Sequence, residues 1–117
     1  MTMENLRGGL LIALSLVFAA QAFAAPGESQ VDRGHKVYQK WCYPCHGTGT
    51  DKPGTNSLAA RGQKPAVLEE RTDLTAPVIK TFVRHGVLFM PMFRKTEISD
   101  AELDALAAYL SRNTPPG

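Results

Sequence analysis

Trp41-Cys42-Tyr43-Pro44-Cys45-His46 decides how this chain is read. The pattern Cys-x-x-Cys-His is the signature of c-type haem attachment. Two thiols three positions apart can each add to one vinyl group of the same porphyrin. The residue that follows, His46, is then held beneath the iron and can offer it an imidazole nitrogen. The chain has 2 cysteines in all, so no disulfide can join distant segments. Zinc would need further ligands, and only His35 and His85 remain, neither at a usual spacing. A thioredoxin-type pair also reads Trp-Cys-x-Pro-Cys, but that motif follows a buried strand and opens a helix. Here Asp32 to Lys40 is polar with no strand alternation, and Gly47 to Gly54 reads as a loop.

Upstream, residues 1–24 read as a cleaved secretory signal peptide. Met1 to Arg7 forms a short n-region, Gly8 to Ala20 an apolar run, and Ala22-Phe23-Ala24 an A-x-A cleavage site. The run is short for a membrane span of about 20 residues, so no stable membrane insertion is expected after cleavage. Export to the periplasm suits covalent haem, which is attached outside the cytoplasm. Residues 25–117 then form a single domain, small enough that a buried porphyrin would supply much of its apolar interior. The net charge is +2, and losing Arg7 together with Glu4 leaves it there. No basic stripe with interleaved aromatics is present, so nucleic acid is not an expected partner.

Taken in order, the mature chain predicts an all-α fold. A first helix is expected over Asp32–Cys42 with Asp32 as N-cap; Gly34 and Tyr38 share one face, the small residue allowing another helix to cross closely. Gly47 to Arg61 reads as a loop wrapping the haem edge. A carbonyl in it, such as that of Pro53, is placed to accept the second ring N–H of His46, and Arg61 to grip a haem propionate. Pro65 opens a short helix to about Arg71. Another spans Ala76–His85 between Thr75 and Gly86, burying Val78, Ile79, Phe82 and Val83 while Lys80, Thr81 and Arg84 face out. His85, in the last turn, reads as a surface residue.

Val87-Leu88-Phe89-Met90-Pro91-Met92-Phe93 is too short for a helix. A thioether suits the face of an iron opposite an imidazole, and it raises the reduction potential. Met90, with Pro91 shaping the loop, is the preferred ligand, and Met92 is the alternative. The neighbouring apolar residues either line the haem pocket or form a docking patch ringed by Lys40, Arg94 and Lys95. The last helix begins at a capping box, Ser99-Asp100-Ala101-Glu102, preceded by Ile98 as a staple. Leu103, Leu106, Ala107 and Leu110 form its stripe, and Tyr109 and Leu110 are expected against Gly34 and Tyr38.

This series of elements resembles class I cytochromes c across the whole mature chain. Met90-Pro91, 44 positions beyond the motif histidine, strengthens the Cys-x-x-Cys-His signal. The stretch from Ile79-Lys80 through Val83-Arg84-His85-Gly86 to Met90-Pro91-Met92-Phe93, with Ser99-Asp100 and Leu103, is similar to the cytochrome subunits of 4-cresol dehydrogenase and eugenol hydroxylase-type flavocytochromes. The resemblance implies crossed N- and C-terminal helices around one haem c, covalently bound through Cys42 and Cys45. It also implies a FAD-containing dehydrogenase subunit as partner, acting on para-alkylphenols. With His46 and Met90 both on the iron no open position remains, and the expected role is one-electron transfer rather than catalysis. Three other roles stay open: a diffusible carrier between a quinoprotein or other dehydrogenase and an oxidase, a haem sensor or enzyme with a labile Met90, and a haem-free thiol oxidoreductase.

Overall fold

Ser29 starts the first helix. Its hydroxyl accepts the Asp32 backbone N–H at 3.0 Å, so α1 spans Gln30–Trp41 and Asp32 lies inside its first turn. The expected N-cap therefore moves upstream by three residues; serine and aspartate are comparable caps, and the serine comes first. The computed structural model describes residues 27–117, and the expected leader, residues 1–24, lies outside them. After α1 come α2 (Tyr43–His46), α3 (Pro53–Ala60), α4 (Ala76–His85) and α5 (Asp100–Leu110), with one 3-10 turn at Leu68–Glu70. No strand occurs among the described residues beyond an isolated Val87–Met90 bridge, and the fold is all-α as expected.

Two middle segments differ from expectation. Pro53–Ala60 is a helix and not loop: proline at its first position presets the helical φ, and Thr55 is buried, its hydroxyl bonding the Gly47 carbonyl at 2.9 Å. The helix expected over Pro65–Arg71 shrinks to the 3-10 turn. There the chain is held instead by C-terminal groups. Asn113 Nδ2 donates to the Glu69 carbonyl at 2.8 Å, Thr114 Oγ1 to the Leu74 carbonyl at 2.7 Å, and Tyr109 Oη to the Glu69 carboxylate.

Helices α1 and α5 cross at the centre of the molecule. The capping box is formed on both sides, Ser99 Oγ with the Glu102 N–H and the Glu102 carboxylate with the Ser99 N–H. Ile98, fully buried, packs in the same cluster as Leu103, as a hydrophobic staple should. Tyr38, Ile98 and Leu106 are the largest fully buried side chains, and Ile79 and Val83 of α4 close the core from the other side. Tyr38 and Tyr109 meet with ring centroids 5.7 Å apart.

Gly34 makes that crossing possible. A Cβ there would lie 2.0 Å from the Ala105 carbonyl oxygen and 2.7 Å from Tyr109 Cβ. Two rigid helices would have to separate to admit one methyl. Gly34→Ala is therefore expected to destabilise the fold by at least ~2 kcal/mol, lowering the melting temperature by about 10 °C for a domain of this size, despite alanine's better helix propensity. An unchanged melt would show that the two helices do not cross here.

Arg84 also departs from expectation. The periodicity of α4 turns it outward, but its long stem lets the guanidinium curl back. Nη1 donates to the carbonyls of Phe93 at 3.0 Å and Ile98 at 2.8 Å, and Nη2 to Asp100 Oδ1 at 2.9 Å. Among the described residues no helix is long and apolar enough to cross a membrane.

Candidate functional site

The Cys-x-x-Cys-His stretch is itself a helical turn. The His46 N–H bonds the Cys42 carbonyl at 2.8 Å and the Cys45 N–H the same carbonyl at 3.1 Å. One turn of helix brings both sulfurs and the imidazole to a single cavity of about 630 Å³. The cavity lies among α2, α3, the 68–74 segment, α4 and the 87–93 segment. Cys42, Cys45, His46, Arg61 and Met90 all line it. Met92 is absent from the lining and 59% exposed. Wall residues include Leu68, Leu74, Ile79, Phe82, Phe93 and Leu106. An apolar cavity with a few converging polar groups is the usual form of a cofactor site, and the volume is in the range such sites occupy.

The backbone around His46 is fixed from two sides. Tyr38 Oη donates to the His46 carbonyl at 3.0 Å, and α3 lies against the ring. A Cβ on Gly54 would sit 2.7 Å from His46 Cε1 and 2.8 Å from Nδ1, so only glycine lets the helix approach this closely. The expected bond from His46 to a carbonyl of this segment is not formed. His46 Nδ1 is buried and has no hydrogen-bond partner. Burial lowers the imidazole's pKa and keeps it neutral, the form in which it can act as a metal ligand.

Burial likewise pushes the Cys42 thiol up to about 12, with Cys45 adding to the effect. A reactive dithiol site needs the opposite, a thiolate stabilised below the ordinary range. The motif also follows a helix and not a strand, so neither chemistry nor context fits a thiol oxidoreductase. Cys42 is buried and Cys45 exposed. Among the described residues no group of three or more histidines, cysteines and carboxylates is placed to hold a metal ion.

Arg61 is exposed at the cavity's edge and forms no ion pair among the described residues. A second arginine, missed from sequence, lines the same wall. Arg71 is paired with Asp73 through Nε to Oδ1 at 2.8 Å and Nη2 to Oδ2 at 2.6 Å, which holds the Asp73 carboxyl below its usual range. Its sequence neighbourhood carried no motif; the two-residue spacing to Asp73 was the only local sign.

These residues fit a haem. Two thiols and a neutral imidazole share one turn, a thioether faces the same apolar cavity, and an unpaired arginine stands at its mouth. The model of the family described as cytochrome c oxidase, cbb3-type, subunit III matches residues 29–110. The chain is 34% identical over 108 residues to the cytochrome c subunit of 4-cresol dehydrogenase (hydroxylating) from Pseudomonas putida, covering 92% of this chain and 82% of that protein. No solved structure matches it significantly. With its helices, its cavity and both of these matches in agreement, the chain belongs to the cytochrome c family, as a haem electron-transfer protein that is not itself the catalyst.

Proposed function

We propose that this protein carries single electrons in the periplasm, after removal of residues 1–24, as the cytochrome partner of a FAD-containing dehydrogenase that oxidises para-alkylphenols. The observation that carries the haem assignment is the gathering of Cys42, Cys45, His46 and Met90 around one apolar cavity. The partner assignment rests on the 34% identity to the 4-cresol dehydrogenase cytochrome subunit, over most of both chains.

In this reading Cys42 and Cys45 would hold one haem c covalently, and His46 and Met90 would be the ligands of its iron. When bound, the haem supplies a ferric/ferrous couple that takes up and releases one electron. The chain's own residues determine how well that works. Tyr38 fixes the His46 backbone and α3 packs against its ring at Gly54, so that little rearrangement accompanies a change of charge. The neutral thioether of Met90 favours the reduced state. The apolar walls exclude water, and Arg61 is assigned to a propionate, where a guanidinium can bind bidentately. With His46 and Met90 both committed to the iron, these residues would leave neither oxygen nor an organic substrate a place on it.

A second reading is a diffusible carrier between a dehydrogenase and an oxidase; the family model, whose description is that of an oxidase subunit, links the domain to oxidases. Purification from the native host separates the two. A stable complex containing flavin, whose para-alkylphenol substrate reduces the cytochrome within one turnover, is the expected result. A lone monomer that no flavoprotein reduces would overturn the subunit assignment.

A further inference from the structure

We infer that Arg84 is a positioning residue for Met90, holding the segment that carries the thioether against α4 and α5. The inference rests on the proposed Met90 ligation. Val87 and Met90 close a small hairpin on themselves, Met90 N–H to Val87 O at 2.9 Å and Val87 N–H to Met90 O at 3.2 Å. Its tip residues Leu88 and Phe89 are 71% and 68% exposed, and Leu88 adopts φ 54°. The hairpin's own bonds therefore do not tie it to the body of the protein.

The tie lies three residues past Met90. The Phe93 N–H donates to the Val83 carbonyl at 2.8 Å, and the Phe93 carbonyl accepts from Arg84 Nη1 at 3.0 Å. The same nitrogen reaches the Ile98 carbonyl at 2.8 Å. Between those carbonyls the chain makes an exposed turn, Glu97 N–H to Arg94 O at 3.0 Å. One guanidinium thus closes both ends of the 93–98 turn, next to Met90. The Arg84 side chain is only 20% exposed, so water competes weakly for these carbonyls. A planar fork can serve two carbonyls and a carboxylate together; an ammonium cannot hold that geometry. Asp100 is not the critical partner, because Lys95 Nζ also pairs with it at 2.7 Å.

An added ligand binds the iron only in the state where the thioether has left it. Its apparent affinity therefore reports the population of that state. The test is imidazole binding to the ferric holoprotein, followed by absorption at a temperature where every variant is folded. Arg84→Ala is expected to bind imidazole about tenfold more tightly than wild type, equal to ~1.4 kcal/mol. Arg84→Lys should move in the same direction, and it decides the matter should the alanine variant not fold. Lys80→Ala removes a cation from the same helix, one paired with exposed Asp104 at 2.5 Å, and should stay within twofold of wild type. Unchanged affinity in the Arg84 variants would overturn the inference. Met90→Ala tests the ligation beneath it: tight imidazole binding supports it, and wild-type affinity would show that Met90 is not the ligand.

Discussion

A chain in which Cys42 and Cys45 are both replaced by alanine is expected to lose its cooperative melt and most of its tertiary structure. The reason lies in how little of the molecule packs without the cavity. Tyr38, Ile98, Leu103, Leu106 and Leu110 pack together where α1 and α5 cross, although Leu106 and Leu110 also line the cavity, and those two helices should retain residual helical signal. The remaining elements are short: α2 has 4 residues, α3 has 8, α4 has 10, and the 3-10 turn has 3. Isolated helices below about 12 residues are marginal in water, and these depend on what they surround. Their inward faces meet across about 630 Å³, whereas protein interiors tolerate few voids larger than a water molecule. Without a covalently held porphyrin those faces have nothing to pack against, much as small metal domains unfold without their ion. Circular dichroism and a thermal melt of the double variant check this. A sharp transition near the wild-type temperature would mean the polypeptide core is sufficient by itself.

The second large effect is expected at Met90. Met90→Ala should abolish the far-red charge-transfer band of a thioether-bound ferric iron. It should also lower the reduction potential by on the order of a few hundred mV, a fraction of the roughly 0.8 V that axial ligands span. A soft neutral ligand stabilises the ferrous state, and the water or hydroxide that replaces it does not. Met92→Ala should leave both quantities near wild type, since Met92 is 59% exposed and does not line the cavity. Redox titration of the two variants checks this, and a lost band in Met92→Ala with a retained one in Met90→Ala would reverse the assignment.

The parts of this protein legible in its sequence are those set by local chemistry. The Cys-x-x-Cys-His turn, the Ser99 capping box and the boundaries of α4 each depend on residues within a few positions of one another. Gly34 was legible as a crossing point because a small residue on a helix face has few other uses. Helix α3 was hidden because Gly54, Thr55, Asn56 and Ser57 are poor helix formers; tertiary contacts with Gly47 and His46 decide its state. The Pro65–Arg71 segment failed the other way: its proline invited a helix, while Asn113 and Thr114, over 40 positions away, bond the carbonyls around it. Arg84 shows the limit of helical periodicity. The wheel gives the direction of Cβ, but a side chain this long can turn back to carbonyls 9 and 14 residues further on. Arg71 needed the fold to reveal that it shares a wall with Arg61.

The central claim is a porphyrin joined to the polypeptide through both thiols. The intact mass of the purified protein after denaturation tests it most directly. The account predicts residues 25–117 plus one haem, with the visible absorption travelling with the chain. A colourless protein, or a mass equal to the bare processed polypeptide, would contradict it.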